Sequence, residues 1–189
     1  MVYGVSCSRT GLRHAQHRNV NHFEIFNLSP EFAIDNAQLI QRFRQLQLDH
    51  HPDRFVTADD AARRAAIEQS TAINEAHQTL QDPVRRAMYL LWLKGINAMD
   101  EKNTSMPHAF LVEQIDWREA IADAKLKEDT DRLEEMGTEL ASVLQSLGDT
   151  FSAAHDGGHL TVATTLARKM RFTQKLIEEV DLAFDELQQ

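Results

Sequence analysis

Residues 35–53 read DNAQLIQRFRQLQLDHHPD, and this stretch decides the predicted fold. It begins with Asp35, a residue type that caps helix N-termini through its carboxylate. Apolar residues then recur at helical spacing and form one face, which consists of Leu39, Phe43 and Leu46. Pro52 disfavours the α conformation at His51, so the helix must end near His50. The stretch therefore predicts an amphipathic helix followed directly by a stiff turn.

The tripeptide His51-Pro52-Asp53 is the candidate functional motif of this turn. Because Pro52 restricts the backbone, we expect the Asp53 carboxylate to sit on a stiffened, exposed loop. A carboxylate held in this way can accept both arms of an Arg side chain from a partner protein. The same three residues also fit a simple helix end followed by a turn, because Pro and Asp both favour turns.

Three more helices are predicted in the N-terminal half. A short one covers residues 22–28, and a long one covers about residues 61–80, where small side chains allow close packing. Asp82 and Pro83 then form a typical helix start, and Gly95 a typical helix end. The helix between them is apolar nearly all round, so we expect it to be buried on two sides and to join two domains.

The C-terminal half predicts a polar linker and three helices. The linker covers residues 96–106, and the helices cover about residues 106–126, 128–157 and 159–187. Short connections between long helices indicate an antiparallel three-helix bundle. Glycine and proline are scarce, at 7 and 4 residues, and strand-like alternation is rare, so the whole chain is predicted to be all-α.

Composition narrows the classes of function. The net charge of the chain is −9. From Asn97 onward there are 9 Lys or Arg residues and 19 Asp or Glu residues, a net charge of −10. Such an acidic segment argues against nucleic acid as a partner. No apolar run approaches the roughly 18 residues of a membrane helix, so no membrane partner is predicted. The one cysteine, Cys7, excludes an internal disulfide framework and favours the reducing cytoplasm.

Catalytic and metal motifs are missing from the sequence. It has no Gly-rich phosphate loop, no G-x-S-x-G and no H-E-x-x-H motif. Among the nine histidines, His155 and His159 are four apart, but two glycines break the helix between them. We therefore predict no catalytic residue, no metal site and no cofactor, and we expect that the protein is not an enzyme.

The helix at 106–126 carries more apolar residues than one core face needs. One sector consists of Phe110, Trp117, Ile121 and Ala124. A second sector consists of Leu111, Val112, Ile115, Ala122 and Leu126, bordered by Asp116 and Glu119. In the last helix, Phe172 also lies off the main apolar stripe. Such residues either contact a second neighbouring helix or form an exposed protein-binding surface with an acidic rim.

These residues together resemble a known family. Residues 22–95 resemble a J domain, through His51-Pro52-Asp53 and its two flanking helices. The segments that follow, such as Arg85-Arg86-Ala87 and Arg168-Lys169-Met170-Arg171-Phe172, are similar to the HscB family, the J-type co-chaperones of iron–sulfur cluster assembly. On this basis we expect residues 96–106 to be the linker and 107–189 a scaffold-binding bundle. Residues 1–21 hold three Arg and no acid, and this composition predicts a disordered tail or a start-site extension.

The resemblance implies two partners and no enzymatic activity. A chaperone of the HscA type, in the heat shock 70 kDa class, would be stimulated to hydrolyse ATP by His51, Pro52 and Asp53, with Arg42 and Arg44 adding contacts. A scaffold protein of the IscU type would bind to Leu111, Val112, Ile115, Asp116, Glu119 and Phe172. Asp116 departs from the family pattern, which has Glu at this position. Cys7 alone cannot form the tetracysteine zinc module of mitochondrial members, so the bacterial branch fits and zinc is not expected.

Two other functions are compatible with parts of the sequence. A general J-domain chaperone would bind unfolded chains through the same apolar residues. A metal-dependent hydrolase would use His50, His51 and Asp53 as ligands or bases. The co-chaperone hypothesis expects one folded scaffold to bind well and denatured chains to bind poorly, which distinguishes it from a general chaperone. Stoichiometric metal in the purified protein would favour the hydrolase.

Overall fold

The computed structural model describes residues 21–51, 59–100 and 105–188, and these residues form helices and turns without any strand. The helices are α1 (His22–Ile25), α2 (Asn36–His50), α3 (Asp60–Gln81), α4 (Pro83–Leu93), α5 (His108–Leu126), α6 (Thr130–Asp156) and α7 (Leu160–Leu187). The predicted all-α fold is confirmed. Within the described ranges, no helix is both long and apolar enough to span a membrane.

Helix α2 begins and ends where its sequence dictates. The Asp35 carboxylate accepts hydrogen bonds from the backbone N–H groups of Ala37 at 2.9 Å and Gln38 at 3.1 Å, which satisfies two free donors of the first turn. His51 has φ −63° and ψ 128°, an extended conformation, as expected for a residue before proline. The helix therefore ends at His50, beside the candidate motif.

Helix α4 joins the two halves of the molecule, as its apolar sequence predicts. Asp82 caps its start by accepting from the N–H groups of Val84 at 2.7 Å and Arg85 at 3.0 Å. Gly95 follows its end with a positive φ of 78°, the conformation in which glycine costs least. The helix packs against α3 on one side and against α6 and α7 on the other. One residue departs from the expected burial: the Trp92 ring is largely exposed.

One hydrophobic core crosses the predicted domain boundary. Phe32 from the N-terminal half packs on Phe151 of α6, with ring centroids 5.0 Å apart. Ala98 is fully buried in the same cluster, although the sequence predicts a polar linker there. Its carbonyl accepts a hydrogen bond of 2.6 Å from Nε of the buried Arg168. The beginning of the linker is therefore part of the core.

The three C-terminal helices form a second cluster at the far end of α6 and α7. Helix α6 contributes the buried side chains of Leu133, Met136 and Leu140. Two ion pairs show that α5 runs parallel to α7. Arg118 pairs with Glu179 at 3.1 Å, and Lys125, two turns later, pairs with Glu186. Val143 is 38% exposed, unlike Leu133, Met136 and Leu140 of the same helix.

Candidate protein-binding sites

The end of α2 presents the first candidate site. His51 caps the helix and is exposed to solvent. Pro52 and Asp53 lie outside the described residues, so their part in the site remains a prediction from sequence. Within the hairpin, Gln47 Nε2 of α2 donates to Asn74 Oδ1 of α3 at 3.2 Å. This bond joins the C-terminal part of α2 to α3.

Arg42 and Arg44, both predicted to contact a chaperone, have different surroundings. The Arg42 guanidinium donates hydrogen bonds to the backbone carbonyls of Phe26 and Asn27, which follow α1. Asn27 has a positive φ of 48° and belongs to the turn that follows α1. A cationic donor stabilises this turn by hydrogen bonding to the two backbone carbonyls. Arg42, predicted from the family resemblance to contact a chaperone, therefore has two hydrogen bonds within its own domain.

Arg44 lies on the outer side of the hairpin and is exposed. Together with Gln47, Leu48 and His51 it lines a shallow concavity. Leu48 was missed at the sequence level, although it lies well off the Leu39/Phe43/Leu46 face and could have been identified as an outward apolar residue. The concavity combines a cation, an amide and an exposed apolar side chain, which are groups that contact proteins.

The packing of α2 on α3 depends on a histidine. The His77 ring stacks on Phe43, with centroids 3.8 Å apart, and its Nε2 is buried without a hydrogen-bond partner among the described residues. Burial lowers the pKa of His77 from its ordinary value, because the charged form would lose its hydration. The neutral ring is thus the form that supports the hairpin.

The second candidate site is the outer face of α5. Leu111 and Val112 are each 41% exposed, and Ile115 is 56% exposed. Phe110, Gln114, Ile121 and Ala124 of the same helix are buried. The helix therefore uses one sector for the core and leaves the other in solvent, so these exposed residues do not pack on a second helix in the described part of the protein.

The two predicted acidic positions border this apolar face. Asp116 and Glu119 are both exposed. Helical geometry places Glu119 one turn after Ile115, and Asp116 on the far side of Val112. An apolar centre with a charged rim is typical of a surface that binds another protein.

Phe172 is more enclosed than the sequence suggests. Its ring meets Phe110 edge to face, with centroids 6.0 Å apart, and is only half-buried. Of the cationic residues close to Phe172 in sequence, Arg168 is buried, and Arg171 pairs with Glu178 at 3.1 Å. The Phe110 contact brings Phe172 to the same end of α5 as Leu111, so the structure places these two predicted residues together.

The side chains that could ligate a metal ion are dispersed in the part of the chain that the structure describes. Across residues 21–51, 59–100 and 105–188, no three His, Cys, Asp or Glu side chains lie close enough to hold a metal ion. The hydrolase alternative used Asp53, which lies outside those ranges. The two surfaces combine charged and apolar side chains, which are groups that bind proteins.

Comparison with known proteins matches both halves of the chain. Residues 21–89 match the family described as "DnaJ domain", and residues 106–181 match "HSCB C-terminal oligomerisation domain". A "Co-chaperone protein HscB homolog" of Paraburkholderia xenovorans is 39% identical over 170 residues, which cover 90% of this chain and 97% of that protein. One of Ralstonia nicotianae is 40% identical over 167 residues, with coverages of 88% and 95%.

Solved structures agree with these sequence relatives. "Chaperone HscB from Vibrio cholerae" is 34% identical to this chain, with a TM-score of 0.78. The match covers 88% of this chain and 99% of that one. The "human co-chaperone protein HscB" is 27% identical with the same TM-score, and the match covers 87% of this chain and 82% of that one. The similarity thus spans the hairpin, the shared core and the C-terminal helices together.

Proposed function

The chain belongs to the HscB co-chaperone family, and we propose that it brings an IscU-type iron–sulfur scaffold protein to an HscA-type chaperone and stimulates that chaperone's ATP hydrolysis. The exposed apolar face of α5 is the observation that carries this proposal. It supplies a docking surface separate from the J domain, which a protein that links two partners needs. A member of the bacterial branch would do this in the cytoplasm.

The chaperone would be engaged by the end of α2. His51, Pro52 and Asp53 follow a helix that stops for a defined steric reason, and Arg44 lies exposed on the same side as His51. A carboxylate on a stiff loop would compete for an Arg within the chaperone, and a fork-shaped Arg–carboxylate pair is both strong and directional. Arg42 is better explained as a structural residue of the J domain.

The scaffold would be bound by Leu111, Val112, Ile115 and Phe172, with Asp116 and Glu119 at the rim. Apolar side chains in the centre of an interface supply most of the affinity, while rim charges favour a partner with the opposite sign. Helix α5 rests on α6 and α7 through buried residues and two ion pairs. Such a preformed surface loses little conformational entropy when a partner binds.

A second candidate function, holding unfolded chains, uses the same exposed residues. The acidic rim argues against it, because a surface that selects by charge disfavours most of the varied sequences of unfolded proteins. Binding measurements distinguish the two functions: the proposal expects a folded scaffold to bind well and denatured chains to bind poorly.

The decisive experiment measures the ATPase rate of an HscA-type chaperone with this protein and the scaffold present together. We expect stimulation by the wild-type protein, further stimulation with the scaffold, and none by Asp53→Ala. The Asp53→Ala variant should still bind the scaffold, because Asp53 belongs to the J-domain motif and the proposed scaffold surface is on α5 and α7. Normal stimulation by this variant would reject the assignment of the motif.

A further inference from the structure

We propose that the scaffold-binding face continues along the whole of α5 and onto α7, through a distal surface formed by Ala122, Leu126 and Leu182. This inference rests on the proposed function and adds residues that the family resemblance does not supply. It would extend the docking surface along α5 from about 6 Å, between Leu111 and Ile115, to about 22 Å.

The apolar stripe on α5 does not stop after its second turn. Leu111, Ile115, Ala122 and Leu126 lie within an arc of about 60° on the helix and extend over about 22 Å. Leu126 is 84% exposed, and Ala122 is exposed as well. Single exposed leucines are common on protein surfaces, but four aligned apolar positions on one helix form a shared stripe. Its one gap is the turn between Ile115 and Ala122, which carries Arg118 and Glu119 on this side of the helix.

Helix α7 adds Leu182 to this surface. Three contacts, Phe110 with Phe172, Arg118 with Glu179 and Lys125 with Glu186, align α7 beside α5 with an offset of about 61 residues. Leu182 therefore lies level with the turn that carries Ala122, between the two ion pairs. It is 60% exposed, so its side chain contributes to the surface outside the seam of the two helices.

The charged residues within the stripe are already paired inside the protein. Arg118 and Lys125 would otherwise interrupt an apolar surface, but each is neutralised by a glutamate of α7. The methylene stems of such side chains cover apolar area while their charged ends pair. The seam can therefore be covered by a partner without leaving an isolated cation.

The rim charges indicate which partner fits. Asp116 and Glu119 on α5 and Asp181 and Asp185 on α7 are all exposed around the stripe. A second copy of this chain would place acidic rims against each other in a two-fold contact, which is unfavourable. A protein with an apolar centre and a basic rim fits better, and the geometry assigns the distal surface to the same scaffold as the proximal residues.

Titration of a purified IscU-type scaffold against four full-length proteins tests this inference. These are the wild type, Leu126→Ala with Leu182→Ala, Leu111→Ala with Phe172→Ala as the reference, and Val162→Ala as the control. Val162 is also an exposed apolar residue of α7, but it lies in the first turn, away from α5. We expect the distal pair to raise the Kd about tenfold, the reference pair to raise it at least as much, and the control to match the wild type.

The outcomes separate the two proposals. If the reference pair weakens binding and the distal pair does not, the extension is wrong and the proposed function stands. If neither pair weakens binding, the proposed function fails and the extension fails with it. If the distal pair turns a dimer into a monomer in sedimentation and leaves scaffold affinity unchanged, the surface belongs to a second copy and the inference is overturned.

A charge-reversal comparison at one site sharpens the partner assignment. Leu126→Glu and Leu126→Lys remove the same apolar side chain and add opposite charges at a position that is almost fully exposed, so folding should be unaffected. With a basic rim on the scaffold, we expect Leu126→Lys to lose more affinity than Leu126→Glu. The reverse order or equal losses would contradict a basic partner.

Discussion

The end of α2 and the outer face of α5 are both exposed, but they are built in opposite ways. The first lies where a helix stops before a proline, and it combines Arg44, Gln47 and His51 with the exposed Leu48 side chain. The second lies in the middle of a helix whose other side is buried in the core. A surface that places one carboxylate needs a stiff turn, whereas a surface that gains affinity from area needs a preformed helix.

The two surfaces are connected by a common core. Phe32 of the N-terminal half is enclosed by Phe151 at 5.0 Å and by the Arg86 guanidinium, 5.0 Å from the ring centroid. Gln174 Nε2 of α7 also donates to Asp82 Oδ2 at 2.9 Å, and Asp82 caps α4. The difference between the surfaces therefore lies in local chemistry, while their relative position is fixed by buried contacts.

The largest expected effect is a loss of scaffold affinity that comes from the α5 face alone and leaves the function of the α2 end unchanged. Leu111→Ala with Phe172→Ala should weaken scaffold binding by a few kcal/mol at most, because these residues lie at the centre of the proposed interface. Stimulation of the chaperone without scaffold should stay unchanged. Calorimetric titration and a steady-state ATPase assay measure the two quantities. Ile67→Ala, an exposed residue of α3, is the control for loss of an accessible apolar side chain.

The same double variant could lose affinity by unfolding, and circular dichroism distinguishes this case. Phe172 packs on Phe110, so its removal should lower the free energy of unfolding by about 1 kcal/mol, the value of an aromatic pair. Leu111→Ala alone should change it by less. A large loss of helicity would show that both residues belong to the core.

The next effect concerns the junction between the two regions. A Cβ added at Gly148 would lie 3.1 Å from the enclosed Phe32 ring, whereas one added at Gly137 would meet Val180 at an ordinary 3.6 Å. Gly148→Leu should therefore lower the free energy of unfolding by about 1–3 kcal/mol through overpacking. Gly137→Ala should raise it by up to about 1 kcal/mol through helix propensity. Chemical denaturation measures both, and stabilisation by Gly148→Leu would mean that the junction is loosely packed.

A smaller effect should distinguish the two arginines of α2. Arg42→Ala removes the donor to the carbonyls of Phe26 and Asn27, so the free energy of unfolding should fall by about 1–2 kcal/mol. Arg44→Ala should leave stability within about 0.5 kcal/mol, because Arg44 is exposed, and should lower chaperone stimulation. Thermal unfolding and the ATPase assay together test this. Equal stability of the two variants would contradict the structural role of Arg42.

The smallest effect is a pH dependence of the J-domain hairpin. Because the pKa of His77 in the folded protein lies below its unfolded value, His77 favours folding fully above about pH 6.5, and this contribution is lost as the pH falls towards the folded pKa. The midpoint of thermal unfolding should therefore drop between pH 7.5 and pH 5.5, and His77→Phe should reduce the drop. His108→Phe, at an exposed position, provides the control. An unchanged drop in His77→Phe would exclude His77 as its source.

Much of the fold and part of the site follow from local sequence. The caps at Asp35 and Asp82, the helix end before Pro52 and the turn at Gly95 depend on neighbouring residues alone, and each is found where the pattern predicts. The second apolar sector of α5 is also visible from spacing. Leu182 was missed because a single apolar residue off the main stripe of a helix carries no periodic signal.

The sequence by itself determined the helices, their ends and the existence of spare apolar residues, because caps, proline sterics and periodicity act over a few residues. Only the tertiary structure decided that the α5 sector faces solvent, that Arg42 binds the turn after α1, and that Ala98 and Arg168 close the junction. These outcomes depend on which helix neighbours which across tens of residues, and helical spacing gives the angle of a side chain around its own axis, not the element beside it.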